Sequence, residues 1–227
     1  MKKIIVTLIA IAAISASFAM PTILGSTGGY DVPNAYVAER TTISVNYVFN
    51  NDEDLGKDAY PSVAVTFPAG DITEIYASYK QADATFTSIG AKVAIPINFF
   101  STDLAVGVGY AQASAVNELS GYAAVSKDIC GVVTTMQVAY FSDGNKQEEL
   151  VWKFNLDKAV TSKVNVGVDL GLGNQYFSVA DQYNGTANTS YVNAYARVAF
   201  AEQFEAQFVA ANIAQDAKFA LGGAYKF

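Results

Sequence analysis

The sequence predicts an all-β protein that closes into a transmembrane, antiparallel, up-and-down β-barrel of about twelve strands. Three observations lead to this fold class. An export signal opens the chain, segments of about ten residues alternate between apolar and polar positions, and aromatic residues stand at alternate positions at the carboxyl end, Tyr225 and Phe227. Hydrophobic residues make up 52% of the chain, yet beyond the export signal no run reaches the roughly 18 apolar residues of a transmembrane helix. The apolar content is therefore spread along strands.

The first nineteen residues have the three parts of a secretory signal peptide. Lys2 and Lys3 precede an apolar run over residues 4–14, and small residues stand at Ser17 and Ala19. That run is too short to span a hydrocarbon layer of about 30 Å. We therefore expect residues 1–19 to be removed during export, so that the mature chain begins at Met20.

Two regions follow the signal peptide. Residues 20–40 form a Gly-rich lead, and residues 41–227 carry the strand pattern of the barrel. The lead has two interpretations. In the first interpretation, it tucks into the periplasmic end of the barrel and closes the gap before the first strand. In the second, it serves as a plug or docking segment.

Period-two alternation defines the predicted strands. Val45 and Tyr47 share a face suited to lipid, while Ser44 and Asn46 share a face suited to a polar lumen. This pattern occurs twelve times in all, near residues 41–50, 60–67, 72–81, 84–97, 103–113, 118–127, 131–142, 148–157, 163–174, 189–200, 203–213 and 217–227. Ten or fourteen strands are the alternatives, and a soluble β-sandwich would show similar alternation with its apolar faces turned inward.

The connections between strands alternate in character. Polar, acidic loops at residues 50–59, 142–148 and 175–188 are predicted outside the cell, and tighter links such as residues 68–71 and 201–202 in the periplasm. Aromatic residues gather near predicted strand ends, where a membrane barrel places girdles at its two interfaces. They are Tyr47, Phe49, Phe67, Phe99, Phe100, Tyr140, Phe141, Trp152, Tyr176, Phe177, Phe200 and Phe204.

The last strand resembles the C-terminal insertion signal of bacterial outer-membrane β-barrel proteins, with Gly222, Tyr225 and Phe227 in the matching positions. Ala220 stands where that signal usually has a polar residue. The resemblance implies a cell outer-membrane location, with outer-membrane lipid and the barrel-assembly machinery as partners. The stretch from Gly25 to Ala35 is similar to the opening of YjbH-type outer-membrane proteins linked to exopolysaccharide export, which are much larger.

Composition argues against several functions. The net charge of −7 disfavours nucleic acid as a partner, and the absence of histidine excludes imidazole-based catalysis and histidine-ligated metal sites. Cys130 is the only cysteine, so no internal disulfide can form. The acidic run at residues 52–54, with Asp58, lacks the spacing of an EF-hand loop and is interpreted as a solvated loop. We therefore expect no enzyme, cofactor or metal site, and a homo-oligomer is left open.

Charged residues at predicted inward positions are the candidate functional residues. The candidate lumen-lining residues are Glu74, Lys80, Lys92, Lys153, Asp169, Arg197 and Glu205. With basic residues on one wall and acidic residues on another, they would set a transverse field across a narrow channel for small polar solutes. The alternative is a non-conducting barrel with a structural, surface-attachment or polysaccharide-secretion role. Lumen occupancy separates the two, because an open path favours the channel and a plug from residues 20–38 favours the alternative.

Overall fold

A computed structural model describes most of the chain after residue 19. The described ranges are residues 20–22, 25–50, 60–81, 85–99, 101–113, 116–142, 148–172, 190–213 and 217–227. The predicted signal peptide, the acidic run at residues 52–54 with Asp58, and the predicted loop at residues 175–188 lie outside them. No helix long and apolar enough to cross a membrane occurs in the described ranges.

The described residues form fourteen β-strands, two short and twelve long. The short strands are β1 (Met20–Pro21) and β2 (Thr27–Gly28), which pair only with each other. The long strands are β3 (Thr42–Asn50), β4 (Tyr60–Pro68), β5 (Thr73–Gln81), β6 (Thr85–Phe99), β7 (Thr102–Ala113), β8 (Val116–Ile129), β9 (Val132–Ser142), β10 (Glu148–Ala159), β11 (Val164–Leu172), β12 (Ser190–Ala201), β13 (Phe204–Ala211) and β14 (Lys218–Lys226).

The long strands form a closed barrel in which every neighbouring pair is antiparallel. Each strand pairs with the next along the chain, and β14 pairs with β3 to complete the circle. This confirms the predicted fold class and a strand number of twelve among the described residues. Each observed strand lies within about two residues of its predicted bounds because turn residues interrupt a regular period-two pattern. Closure also leaves the barrel without a free strand edge.

The two faces of the barrel differ as the alternation predicts. Every barrel strand turns large apolar side chains outward, among them Val45, Phe67, Ile75, Ile89, Val108, Leu119, Met136, Leu150, Val166, Phe200, Phe208 and Leu221. Polar residues alternate with them and are buried inside, for example Ser44, Glu74 and Lys153. An apolar outer surface around the whole circumference is the surface of a barrel embedded in lipid.

The two ends of the barrel carry different connections. One end, the short-connection end, holds links such as residues 69–72, 130–131 and 202–203. At the opposite end, the long-connection end, β3 ends at Asn50 before β4 begins at Tyr60, and β11 ends at Leu172 before β12 begins at Ser190. At the short-connection end, Cys130 (φ 55°) and Gly131 (φ 80°) adopt the left-handed backbone of a tight hairpin turn. Cys130 is exposed there.

Most predicted girdle residues that the structure describes lie near strand ends with exposed rings, such as Tyr140, Phe200 and Phe204. Phe141 is an exception and corrects the prediction. Its ring is buried against Ala139 and Val151 on the inner face, because it lies at odd spacing from the outward residue Tyr140. Phe99 is the last residue of β6, near a strand end as predicted. Phe100, Tyr176 and Phe177 lie outside the described residues.

The residues of the predicted insertion signal lie on the seam between the last and first barrel strands. Gly222 pairs with Asn46, and Tyr225 pairs with Ile43. Tyr225 and Phe227 are exposed and pack edge to face, with ring centroids 4.8 Å apart. Both rings therefore face the surroundings of the barrel at the short-connection end.

Inside the barrel, tyrosines pack over glycines of the neighbouring strand. The described residues contain four such directly opposed pairs, which are Tyr76 with Gly90, Tyr122 with Gly107, Tyr195 with Gly167 and Tyr191 with Gly171. A methyl group built on any of these glycines would overlap the ring of its tyrosine. The missing side chain allows each ring to lie along the wall.

Gly167→Ala is expected to lower the free energy of unfolding by about 1–3 kcal/mol, because its methyl group would drive the Tyr195 ring off the wall. Tyr195 would also lose the hydrogen bond that its hydroxyl donates to Asp157 Oδ2 over 2.6 Å. Urea unfolding in lipid vesicles measures the change. Gly121→Ala is the matched control, since its methyl would meet only Gly107 O, at 3.9 Å. An equal effect of both substitutions would contradict the packing argument.

Candidate functional site in the barrel lumen

The seven candidate lumen-lining residues all lie on barrel strands with their side chains buried. Glu74 and Lys80 are on β5, Lys92 on β6, Lys153 on β10, Asp169 on β11, Arg197 on β12 and Glu205 on β13. The same strands turn apolar side chains outward at the alternate positions, so these charged groups point into the lumen. Five of them contact a segment of the chain that lies inside the barrel.

We call residues 20–22 and 25–38 the N-terminal segment. Most of its residues are buried, including Met20, Val32 and Ala35. It contacts inward residues on strands all round the barrel, from β4 to β12, and therefore lies within the lumen. It stays separate from the barrel sheet, because β1 and β2 pair only with each other.

The first set of contacts, which we call the Glu74 anchor, is near the short-connection end. The Glu74 carboxylate accepts hydrogen bonds from the Ser26 hydroxyl (2.7 Å), the Thr27 N–H (2.9 Å), the Thr27 hydroxyl (2.6 Å) and the Ala38 N–H (2.8 Å). Lys92 Nζ lies 3.0 Å from Glu74 Oε1 and donates to the Thr27 carbonyl oxygen over 2.9 Å. A buried carboxylate needs such partners, because an isolated buried charge is costly.

The second set of contacts, the Asp31 anchor, is nearer the long-connection end. Asp31 has the only charged side chain in residues 20–38. Its carboxylate accepts a hydrogen bond from Lys153 Nζ over 2.9 Å and another from the Tyr191 hydroxyl. The Asp31 N–H donates a hydrogen bond to Asp169 Oδ2 over 2.7 Å. Asp31 therefore binds the barrel through both its charged side chain and its backbone N–H.

Backbone groups of the segment are satisfied by polar side chains of the wall. Arg197 donates to the Gly28 carbonyl oxygen over 3.0 Å. The Ala35 N–H donates to Ser126 Oγ over 2.9 Å, and the Thr66 hydroxyl donates to the Gly25 carbonyl oxygen. Polar side chains of the barrel wall therefore hold the segment backbone in this position.

Tyr30 supplies an apolar contact between the segment and the barrel. Its ring packs in a buried cluster with Val48, Tyr60, Tyr195, Val209 and Ala220. Burial raises the pKa of the Tyr30 phenol, so this side chain stays neutral inside the barrel. The apolar cluster fixes the segment between its two anchors.

The structure does not have the predicted arrangement of opposite charged walls. Lys92 is the direct cross-strand partner of Glu74, Lys226 pairs with Glu205, and Arg197 lies 3.9 Å from Asp157. Acidic and basic residues are thus interleaved, because neighbouring strands place their inward charges side by side. Lys80 lies apart from both anchors, with its ammonium 4.6 Å from the centre of the Tyr60 ring.

Several residues of the site are not among the sequence-based candidates. Asn155 donates to Asp169 Oδ1 (2.7 Å) and to the Tyr195 hydroxyl (2.8 Å), and Asp31 and Thr27 belong to the segment. Asn155 could have been found by extending the period-two pattern of β10 to uncharged residues. Asp31 and Thr27 carry no periodic signal. Among the described residues, no group of three or more acidic residues or cysteines is placed to hold a metal ion.

The fold and the interior together define a transmembrane β-barrel with a polar, charged lumen. Solved structures with a similar fold include porins and an outer membrane channel. The chain is similar to the KdgM porin, with a TM-score of 0.68 and 11% identity over 82% of this chain and 99% of that one. It is similar to the NanC porin, with a TM-score of 0.64 and 8% identity over 82% and 100% of the two chains.

An outer membrane channel from Pseudomonas putida F1 also has this fold, with a TM-score of 0.56 and 10% identity over 83% of this chain and 95% of that one. At such identities the likeness concerns the fold. No protein-family model matches the sequence, and a comparison with characterised proteins gave no match.

Proposed function

We propose that the protein is a small porin-like barrel of the bacterial outer membrane, a passive channel for small polar solutes whose path is occupied by the N-terminal segment in the conformation described above. The main observation behind this proposal is that the closed barrel has an apolar outer face and a charged inner face. The fold shared with porins supports this function. The export signal and the aromatic C-terminus support an outer-membrane location, with outer-membrane lipid and the barrel-assembly machinery as partners.

A second candidate function rests on the N-terminal segment. A segment bound through two anchors and a buried tyrosine fits a non-conducting barrel with a structural, surface-attachment or secretion-accessory role. This candidate predicts silence under every condition in which the barrel stays folded.

Single-channel recording in planar lipid bilayers tests the channel. Discrete conductance steps are expected from the purified, folded protein, with a reversal potential close to zero in a salt gradient. Selectivity should be weak because buried inward charges of both signs are interleaved along the lumen. Heat-modifiable migration in gels verifies that the recorded protein is a folded barrel. Persistent silence of such protein would favour the non-conducting barrel.

A further inference from the structure

We propose that the N-terminal segment is a reversible gate, which closes the lumen when docked on the Glu74 and Asp31 anchors and opens it by leaving toward the short-connection end. This inference rests on the proposed channel function. The segment joins β3 through residues 39–41 at the short-connection end, so this link can act as the hinge.

The barrel does not need the segment for its own hydrogen bonding. The twelve long strands pair with each other around the full circle, and neither β1 nor β2 takes part. The segment also satisfies part of its own backbone, since the Gly29 N–H donates to the Val32 carbonyl oxygen over 2.9 Å and Met20 pairs with Gly28. Undocking therefore breaks no hydrogen bond of the barrel sheet.

Water can replace most of the contacts that hold the segment. The anchors consist of carboxylate, ammonium and hydroxyl groups, which are well hydrated in an aqueous lumen. Exchanging a protein hydrogen bond for a water hydrogen bond changes the free energy little compared with the strength of the bond itself. After undocking, Glu74 and Lys92 still have each other as cross-strand partners.

Complementarity is tight at Gly29, where the segment touches the wall. A methyl group built there would overlap Asp169 Oδ1 and lie 2.6 Å from Asn155 Nδ2. An added methyl group at this position would therefore require either the Asp169 and Asn155 side chains or the segment itself to move.

Segment-side substitutions in the full-length protein test the gate without altering the wall. Thr27→Val removes a hydroxyl that donates to Glu74 (2.6 Å) and accepts from Lys92 (2.6 Å), and Gly29→Ala introduces the overlap just described. Each is expected to raise the open probability by roughly tenfold or more. For Thr27→Val this is the effect of losing one or two buried hydrogen bonds, and for Gly29→Ala it is the effect of the steric overlap. Ser44→Ala is the control, because Ser44 Oγ is a buried wall hydroxyl with no hydrogen-bond partner among the described residues. It should behave as the wild type.

A reversible covalent lock provides the complementary measurement. Ala35→Cys with Ser126→Cys joins segment and wall at the 2.9 Å hydrogen bond between Ala35 N and Ser126 Oγ. Cys130→Asn removes the native thiol at a left-handed position that asparagine accepts. The oxidised protein is expected to stay closed, and reduction with dithiothreitol should restore openings. Loss of free-thiol labelling verifies the disulfide.

The outcomes separate the gate from the channel itself. Conductance that is unchanged by Thr27→Val, Gly29→Ala and the verified disulfide would overturn the gate while leaving the channel standing. Silence of wild type and all variants, with heat-modifiable barrels, would overturn both. Higher open probability in the two segment variants, together with redox-dependent closure, supports the gate.

Discussion

Val108→Arg is expected to lower the free energy of unfolding by about 2–4 kcal/mol, because it places a charge on the lipid-facing surface near the middle of β7. Val108 is 64% exposed and pairs with Ala91 and Gly121, away from both strand ends. In a bilayer the guanidinium would lie at a depth where water does not reach. Urea unfolding from lipid vesicles measures the loss, and the fluorescence of Trp152, the only tryptophan of the sequence, reports it.

Val160→Arg is the matched control for this experiment. Val160 is also exposed, at 57%, but lies in the connection between β10 and β11 at the short-connection end. Its substitution should change the free energy of unfolding by no more than about 0.5 kcal/mol. Equal tolerance of arginine at both positions would contradict a lipid-embedded outer surface of the barrel.

Lys92→Met is expected to destabilise the protein by about 3–5 kcal/mol, since it leaves the Glu74 carboxylate buried without its cation. Glu74 and Lys92 are both 0% exposed in their side chains, so solvent cannot replace the lost partner while the segment is docked. Methionine keeps the length of the side chain, which limits the cavity. The midpoint and slope of urea unfolding in vesicles measure the change.

A double-mutant cycle separates the pair from its surroundings. Glu74→Gln/Lys92→Met is expected to recover part of the loss, because the double variant removes both charges of this pair. Purely additive losses from Glu74→Gln and Lys92→Met would show that the two residues act independently. That result would contradict the Glu74 anchor as a coupled unit.

The barrel could be predicted because the alternation of apolar and polar residues is visible within each strand by itself. Lipid outside and polar groups inside impose alternation on each strand, so Val45 and Tyr47 against Ser44 and Asn46 already define the two faces. Strand ends follow from breaks in that pattern. Phe141 shows the limit, since an aromatic residue near a strand end was assigned to the girdle when its place in the alternation, next to outward Tyr140, turns it inward.

The contents of the lumen were harder to predict. Period two shows that Glu74, Lys92 and Asp169 face inward, but it does not show which charge meets which, because pairing depends on the register between strands. The N-terminal segment has no period at all. Its position depends on contacts more than a hundred residues apart along the chain, such as that between Asp31 and Lys153. Sequence therefore left open whether residues 20–40 close the end of the barrel or enter it.

The tyrosine and glycine pairs of the wall have a consequence for the bore of the barrel. All four tyrosines also meet the N-terminal segment, at Gly25 for Tyr76, Ser26 for Tyr122, Tyr30 for Tyr195 and Asp31 for Tyr191. A ring that lies flat in the notch left by a glycine takes up less of the cross-section than one that stands toward the axis. The internal diameter available to a guest peptide is thus determined by residues without side chains as well as by strand number. Substituting one of these glycines would therefore change the space that the lumen offers to a peptide.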